Sequence, residues 1–573
     1  MRIAIVNRLN PFLSKPIKLM YLSAIATWSI QFYRWTLMIT MHNLYRDEND
    51  ELPNLLSIFS RQQIEQLLAD AIDRMTVGDI DKEIGKKFIE IVARTGYKHE
   101  PGAIAPSNIR QTLVHYAVDK DQLSCLADLF VIYDNCDVNY ADGAGLTHLH
   151  AACLVWGCES VVRRLLEHGV ADLNQIWPKT GDAPLHLALY HSGPDPPELL
   201  LRAGADPNLA NEAGSTPLHI MCEKEDCPTL EAFFEICDER KERVLMDERD
   251  NEGRTPLEWA VAKLYPQMLE MLLDRGADPA KFVFPTVQQM SETCADFKQE
   301  WVESWRIKAA AGLLACVDKL EKRGYAMTYE DVLTVMRLFE EQEMFQRREE
   351  PAEYSEEFLE KAKTIKHGKI SFHDLLKLEP HGTRRPLPLE DYETVATDLA
   401  FRDLPRGECV DASSLHVVEQ IAKPTFVKWS EEELYHVLQQ RLQIELSAMV
   451  LQNMSNADMY SVCLAAKAER EEIARAMQRI ARLEEPRRRS QRTRRAPDRF
   501  QVTWNLPISC AHVCERSKHC AATRTYISHY LRTRYVRLYG YNIAELATSL
   551  TSMVKRKKIY KLENKINEVQ NYS

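Results

Sequence analysis

Cysteine and histidine side chains, which are common zinc ligands, occur in two arrangements in this chain of 573 residues. The first is a cluster near the C terminus, formed by Cys510, His512, Cys514, His519 and Cys520. A structural zinc site needs four such ligands at about 2.0–2.3 Å, usually supplied as two spaced pairs. Here the spacing is irregular and no second pair follows. We therefore predict no bound metal and no other cofactor, and a zinc-containing C-terminal domain with its own activity is an alternative.

The second arrangement is a set of histidines that return at nearly constant intervals. Each stands at the fourth position of a short phrase: Thr112-Leu-Val-His115, Thr147-His-Leu-His150, Ala183-Pro-Leu-His186, Thr216-Pro-Leu-His219 and, with a glutamate instead, Thr255-Pro-Leu-Glu258. One histidine per unit places successive rings on neighbouring packed helices, about 10 Å apart. We predict that these rings bond to the backbone and to neighbouring side chains and do not share a metal ion.

The intervals between the fourth positions are 35, 36, 33 and 39 residues. A fixed period of this length indicates a stack of similar units, each burying its apolar face on its neighbours. Within a unit, threonine can cap the first helix and proline fits its first turn. The leucines of the phrase, such as Leu218 and Leu257, are expected between units. Three glycines suit a left-handed backbone at the helix exit: Gly169, Gly204 and Gly276.

The phrase resembles the signature of the ankyrin repeat, and the turn Leu201-Arg-Ala-Gly204-Ala-Asp206 extends the similarity. The resemblance covers five units over residues 105–283. It implies an all-α solenoid of helix pairs joined by β-hairpin loops, with a function in protein binding. Leu113 and His148 replace the proline of the phrase and Glu258 replaces its histidine. We therefore expect the first, second and fifth units to be looser.

In ankyrin proteins the hairpin tips and the faces of the first helices form a concave surface that contacts partners. The matching tips contain eight candidate partner-binding residues: Tyr140, Asp142, Trp177, Lys179, Asn211, Glu212, Asn251 and Glu252. An exposed tryptophan is the kind of side chain that dominates interface energies. Trp177 is therefore the predicted hot spot, and the alternative is that it folds over its own loop beside Pro178.

Helical segments are predicted on both sides of the array. Residues 46–104 are predicted to be a helical cap that contains the capping box Ser60-Arg-Gln-Gln63. Residues 284–345 are predicted to be a helical extension. Residues 346–483 are predicted to be a helical region of unknown role, with one helix opening at Ser430.

The N-terminal residues 1–45 are a hydrophobic segment. Its apolar run, from Leu19 to Tyr33, is shorter than the ~20 residues that a membrane-spanning helix needs. We predict that the segment does not span a membrane or is dispensable, and a signal peptide or anchor is the alternative.

Towards the C terminus the composition of the chain becomes basic. Residues 484–500 contain seven arginines and are predicted to be a solvated linker, with a nuclear-import signal or a phosphate-binding strip as alternatives. Residues 501–573 form a tail that holds the Cys/His cluster and many tyrosines.

Upstream, His367–Leu376 resembles a segment that follows ankyrin arrays in proteins of poxviruses and parasitoid wasps. Those chains often end in a PRANC region, which is similar to an F-box and recruits ubiquitin-ligase machinery.

Composition narrows the functional classes. The net charge of −11 argues against a chain built to coat nucleic acid. A glycine-rich phosphate loop, a Gly-x-Ser-x-Gly elbow and a His-Glu-x-x-His motif are all absent from the sequence, so no enzyme is predicted. The cysteines form no dense framework, which favours buried thiols and a cytoplasmic or nuclear location. Those expected inside repeat helices are Cys125, Cys153, Cys158 and Cys222.

The predicted function is a non-enzymatic module that binds a partner protein on the concave ankyrin surface, as in the substrate-binding adaptor of a ubiquitin ligase. The alternative is an IκB-like regulator that binds a transcription factor. Neither nucleic acid nor a membrane is predicted as a partner.

Overall fold

The computed structural model describes residues 14–25, 28–45, 51–100, 111–169, 172–191, 193–300, 303–345, 354–380, 384–405, 408–437 and 450–492. Within these ranges the regular secondary structure is helical except for one two-stranded hairpin, so the all-α prediction is confirmed. Short 3-10 turns occur at Leu55–Ser57, Leu123–Cys125, Pro279–Lys281 and Leu399–Asp403.

In the described residues before the repeats there are four α-helices: α1 (Lys15–Ile25), α2 (Gln31–Leu44), α3 (Arg61–Arg74) and α4 (Asp79–Arg94). The capping box predicted before α3 is present. The amide of Gln63 donates to the Ser60 hydroxyl at 3.3 Å, and the amide of Ser60 donates to Gln63 Oε1 at 2.8 Å. These two bonds satisfy amides that a helix start would otherwise leave without partners.

The described part of the N-terminal segment, residues 14–25 and 28–45, is packed into the same core as the repeats. Helix α2 packs against α3 and α4 and buries Trp35, Leu37, Met38 and Met41. Arg34 of α2 pairs with Asp70 of α3, with Nη2 3.1 Å from Oδ1, and both side chains are largely buried. The apolar residues of α2 thus have a packing role that the prediction of a dispensable segment did not include. Among the described helices, none has the length and apolar character needed to cross a membrane.

Five helix pairs follow, at the five predicted units. They are α5 (Leu113–Asp119) with α6 (Leu126–Ile132), α7 (His148–Cys153) with α8 (Glu159–Glu167), α9 (Pro184–His191) with α10 (Asp195–Ala203), α11 (Pro217–Lys224) with α12 (Cys227–Arg240), and α13 (Pro256–Ala262) with α14 (Pro266–Asp274). Successive first helices pack on one another. Leu218 and Leu257 are buried between them, as predicted.

The three predicted exit glycines, Gly169, Gly204 and Gly276, all have positive φ, and the exits of α6 and α12 contain no glycine. Gly204, which ends α10, has φ +117°, in the region that favours glycine. Helix α12 ends instead at Lys241, whose φ is +57°. The fourth unit lacks a glycine at its exit, and a lysine adopts the left-handed conformation there at some energetic cost.

The stack continues by one helix pair at each end. At the N-terminal end, α3 packs on α5 and α4 packs on α6. At the C-terminal end, α15 (Val287–Glu300) packs on α13, and α16 (Trp305–Lys322) packs on α14. The amide of Thr286 donates to Gln289 Oε1 at 2.9 Å, which repeats the capping geometry of the repeat phrase. The cap and the extension predicted from the sequence are therefore further layers of the stack.

The helical region after the array surrounds α16 and forms a second apolar core. It contains α17 (Tyr329–Glu341), α18 (Glu356–Ala362), the hairpin of β1 (Lys366–His367) and β2 (Ile370–Ser371), α19 (Phe372–Lys377), α20 (Leu389–Ala396) and α21 (Glu408–Val437). In the hairpin, Lys366 pairs with Ser371 and His367 with Ile370. The predicted helix start at Ser430 is wrong, because Ser430 lies inside α21.

The last described helix is α22 (Asn456–Arg492). It includes residues 484–492, the first part of the predicted basic linker, whose arginines and glutamates are good helix formers. Residues 493–500 and the tail 501–573, with the Cys510–Cys520 cluster, lie outside the described residues.

Candidate protein-binding surface

The recurring histidines lie inside the array and connect each first helix to the following loop. In His115, His150, His186 and His219, Nδ1 accepts the amide that opens the phrase, at 3.0–3.3 Å. Nε2 donates to a carbonyl of the next loop at 2.8–3.2 Å. Because Nδ1 accepts and Nε2 donates, each ring is neutral. The prediction that these histidines bond to the backbone is confirmed.

Burial keeps these imidazoles neutral. It lowers the pKa of His115, His186 and His219, and it lowers the pKa of His150 to about 4. Within the described part of the chain, no group of three or more His, Cys, Asp or Glu residues is arranged to hold a metal ion. The cysteines expected in repeat helices, Cys125, Cys153, Cys158 and Cys222, are buried, as predicted. Only Cys153 and Cys222 lie inside α-helices, whereas Cys125 and Cys158 directly precede α6 and α8.

Glu258 takes the place of the histidine in the fifth repeat and keeps its two connections. Its Oε2 accepts the amide of Thr255 at 3.2 Å, and its Oε1 accepts the amide of Val283 in the next segment at 3.1 Å. A carboxylate can only accept hydrogen bonds. The following segment accordingly offers an amide where the other repeats offer a carbonyl.

Four loops between helix pairs form protrusions that we call fingers: residues 140–147, 175–183, 209–216 and 248–255. In three of them an Asp or Asn stands at the same place, namely Asp142, Asn211 and Asp250. The Oδ1 atom of each accepts the amides two and four residues further on, at 2.8–3.0 Å. The backbone amide of each of these three residues also donates to the backbone carbonyl four residues on, at 2.9–3.0 Å. These side chains fix the backbone of the tip.

Trp177 stands at the equivalent place in the remaining finger, and here the structure corrects the predicted hot spot. Its side chain is only 6% exposed and belongs to the array core. Its amide donates to the carbonyl of Asp182 at 2.8 Å, five residues on, so this finger is one residue longer. Lys179 Nζ lies 5.4 Å from the centre of the Trp177 ring. The burial of Trp177 contradicts the exposure on which the hot-spot prediction rested and agrees with the alternative prediction.

The fingers pack against one another at glycines. A Cβ atom at Gly181 would lie 2.4 Å from the amide nitrogen of Glu212, and one at Gly214 would lie 2.8 Å from that of Asn251. The backbone amide of Asn251 donates to the carbonyl of Ala213 at 2.9 Å, and the side-chain Nδ2 of Asn251 donates to the carbonyl of Glu212 at 2.7 Å. The fingers therefore form a continuous row.

The eight predicted binding residues separate into two groups. Asp142, Trp177 and Asn211 build the fingers and are buried or half-buried. Tyr140 is half-buried, and four residues are exposed at the tips: Lys179, Glu212, Asn251 and Glu252. The surface available to a partner along the row is thus formed by the second group.

Three aromatic side chains on or beside the first helices were not predicted. Each is half-buried and has a cation over its ring. Lys120 Nζ lies 5.3 Å from the Tyr116 ring, Lys224 Nζ lies 5.1 Å from the Tyr190 ring, and Arg254 Cζ lies 3.9 Å from the Trp259 ring. Tyr116 and Trp259 both follow the fourth position of the phrase directly. That shared position is a signal that could have identified them.

The array is strongly acidic. Residues 111–283 contain 30 Asp or Glu and 14 Lys or Arg, whereas the whole chain has 84 and 73. A surface with this excess attracts basic partners and raises their association rate.

Comparison with known proteins agrees with the repeat architecture. The family model described as "Ankyrin repeats (3 copies)" matches residues 114–211 and 196–282. NF-kappa-B inhibitor alpha of Mus musculus is 34% identical over 95 residues, which are 17% of this chain and 30% of that protein. B-cell lymphoma 3 protein of Homo sapiens is 33% identical over 140 residues, or 24% and 30%.

A longer alignment is found with the nuclear factor NF-kappa-B p105 subunit of Gallus gallus. It is 24% identical over 229 residues, which are 40% of this chain and 22% of that protein. The chain thus spans no more than 30% of the length of these three relatives.

Proposed function

Because residues 114–282 of this chain are an array of ankyrin repeats, we propose that the chain binds a partner protein on the concave surface made by the finger row and the first helices. Ankyrin repeats are protein-interaction modules. The observation that carries the proposal is the finger row itself. Its exposed tips stand on a backbone that side-chain and inter-finger hydrogen bonds already fix. Binding to such a surface requires little ordering of the array.

The side chains along this surface are of the types that contribute most to protein interfaces. Tyr116, Tyr190 and Trp259 are already half-buried, so covering them with a partner removes the remaining water at a small cost in side-chain ordering. Tryptophan, tyrosine and arginine are also the residues that are enriched at interface hot spots. The exposed charges of Lys179, Glu212 and Glu252 form the rim, where charge selects the partner and its orientation.

We propose a transcription factor as the partner class, which makes the chain an IκB-like regulator that acts in the cytoplasm or the nucleus. The names of the relatives support this choice: one is an inhibitor of NF-kappa-B and another is an NF-kappa-B subunit. The substrate-binding adaptor of a ubiquitin ligase is the second candidate. It rests on the resemblance of His367–Leu376, a segment that contains the second residue of β1, all of β2 and most of α19.

A charge-reversal experiment tests the finger row. The full chain carrying Glu212→Lys and Glu252→Lys is compared with the unchanged chain by affinity capture and quantitative mass spectrometry. Glu231→Lys with Glu235→Lys is the matched control, because both glutamates are exposed on α12 and the charge change is the same. The finger variant should lose a protein that the control retains. Equal recovery by all three chains would contradict the proposal.

The identity of that protein separates the two partner classes. A Rel-type factor supports the regulator, and cullin-adaptor subunits support the ligase adaptor.

A further inference from the structure

The array has a second edge, opposite to the fingers, where a short turn joins the two helices of each pair. We call it the turn edge. In four repeats this turn contains a residue with positive φ: Asp121 (+57°), Gly157 (+90°), Glu225 (+57°) and Leu264 (+61°). The fingers precede the first helices and these turns follow them, so the two edges are at opposite ends of the same helices.

At the fourth and fifth repeats the chain itself covers the turn edge. Lys308 of α16 is buried, and its Nζ lies 3.5 Å from the Glu225 carboxylate and 4.5 Å from the Phe297 ring. A Cβ atom at Gly312 of α16 would lie 2.5 Å from the carbonyl oxygen of Leu264. This part of the edge is therefore an interface, and it holds a cation between a carboxylate and an aromatic ring.

At the first three repeats the described residues leave the same edge exposed. Trp156, in the turn between α7 and α8, has 71% of its surface exposed, whereas Trp177 has 6%. The Trp156 ring lies over the next turn, 3.6 Å from where a Cβ atom of Gly193 would stand. An exposed indole held in this way is a typical interface anchor, because little side-chain freedom is lost when it is covered.

The surroundings of Trp156 are acidic. Asp121, Glu159 and Asp195 lie in the turns on this edge or directly after them, and Glu159 accepts the amide of Gly157 at 3.0 Å. Of the nearby cations, Lys120 lies 3.7 Å from Asp73, and Lys224 lies over the Tyr190 ring, 5.1 Å from its centre. Burial lowers the pKa of His191, so this histidine is neutral at pH 7. The exposed edge thus presents an aromatic ring among carboxylates.

We propose that Trp156 and the turn edge of the first three repeats form a second docking surface, which binds an arginine-rich segment of another protein. A guanidinium stacks on the indole and pairs with the flanking carboxylates, as Lys308 does with Phe297 and Glu225 further along the same edge. Arginine fits this role better than lysine, because its planar group stacks on a ring and bonds a carboxylate with two N–H groups. The surface continues an interface that the chain already uses.

The first test selects ligands without assuming their sequence. A displayed library of random peptides is panned on the full chain, and peptides that also bind the Trp156→Ala chain are removed. The remaining peptides should contain more arginine than lysine and more basic than acidic residues. If no peptide distinguishes the two chains, or if the distinguishing peptides are neutral or acidic, the proposal is wrong.

The second test measures the affinity of one selected peptide by fluorescence anisotropy. Trp156→Ala should weaken binding by about tenfold or more. Glu159→Gln with Asp195→Asn should weaken it and reduce its dependence on salt. Replacing the peptide arginines by lysine should also weaken it. Unchanged affinity in the Trp156→Ala chain would overturn the proposal.

Two controls separate this surface from misfolding and from the finger row. Trp156→Ala should leave the thermal unfolding temperature nearly unchanged, because the ring is exposed. Glu212→Lys with Glu252→Lys should leave peptide affinity unchanged, because those residues are on the opposite edge. Loss of binding in the finger variant would place the peptide on the finger row and would leave the proposed function intact.

Discussion

The hydroxyl of Thr112 lies 2.8 Å from Nε2 of His148, across the boundary between the first and second repeats. His148 stands where the third, fourth and fifth repeats have proline. It is buried, and its ring contacts those of His115 and Phe130, with centroids 4.9 and 5.5 Å away. Its amide also donates to the carbonyl of Tyr140 at 2.9 Å. A departure from the repeat phrase has therefore become a contact between repeats.

Restoring the repeat phrase at this position should destabilise the protein. His148→Pro preserves a residue suited to the first helical turn but removes the ring contacts, the bond to Thr112 and the amide donor. We expect a loss of about 2–4 kcal/mol in the free energy of unfolding, measured by urea denaturation. An increase in stability, as a consensus substitution often gives, would show that these contacts do not hold the boundary together.

Acid should unfold the array through its histidines. The pKa of His150 is about 4 in the folded chain, against 6.5 for an unperturbed histidine. The unfolded chain therefore binds the proton first, and stability that is complete above pH 6.5 decreases as the pH falls towards 4. For His150 alone the loss is on the order of 3 kcal/mol.

Urea midpoints measured between pH 7 and pH 4 check this prediction. His150→Gln should reduce the slope, because glutamine does not titrate and Gln63 and Gln289 cap helices of the outer layers in the same way. A slope identical to that of the unchanged chain would exclude His150 as a source.

Trp177→Ala should affect stability before it affects binding. The buried ring leaves a cavity, and we expect a loss of about 3–5 kcal/mol in the free energy of unfolding. Trp156→Ala is the matched control, because the same side chain is removed from an exposed position. If the two variants unfold at the same urea concentration, the burial assigned to Trp177 is incorrect.

A chain that begins at Met41 should be markedly less stable than the full chain. It lacks Trp35, Leu37 and Met38, each worth about 1.5–3 kcal/mol when buried, and it leaves Asp70 without Arg34. The point variant Met38→Ala should show part of this loss. Faster hydrogen exchange in α3 and α4 would locate the effect, and unchanged exchange would show that α2 does not support them.

The array could be predicted from the sequence because its determinants are local. The capping threonine, the proline of the first turn and the exit glycine each act within a few residues, and the period brings the units together. The histidine bonds were predictable for the same reason. The extra layers at the ends were predicted as helices but not as repeats, because their capping phrases carry Gln63 and Gln289 and no proline.

The binding surface was harder to predict, because exposure depends on neighbours that are distant in sequence. The place of Trp177 near a finger tip predicts exposure, although alignment with Asp142, Asn211 and Asp250 puts it at the position that shapes the loop. Trp156 carries no local sign of its exposure, which depends on Gly193 in the next repeat.

Helix α21 shows a different limit. The pattern Ser430-Glu-Glu-Glu433 predicts a helix start, and a proline such as Pro424 ordinarily ends or bends a helix, yet α21 continues through both. Arg385 donates to the carbonyl of Ile421 at 2.7 Å beside this proline. The helix is thus stabilised at the proline by a residue 36 positions earlier in the chain. No local sequence pattern predicts this contact.

The finger glycines have a consequence for how such a protein can change over time. Substitution of Gly181 or Gly214 would force neighbouring loops apart, whereas Lys179, Glu212 and Glu252 project from a frame that does not depend on them. Mutations can therefore accumulate at the tips with little effect on folding. The array can acquire a new target by altering its outermost charges alone, while the geometry that presents them is inherited unchanged.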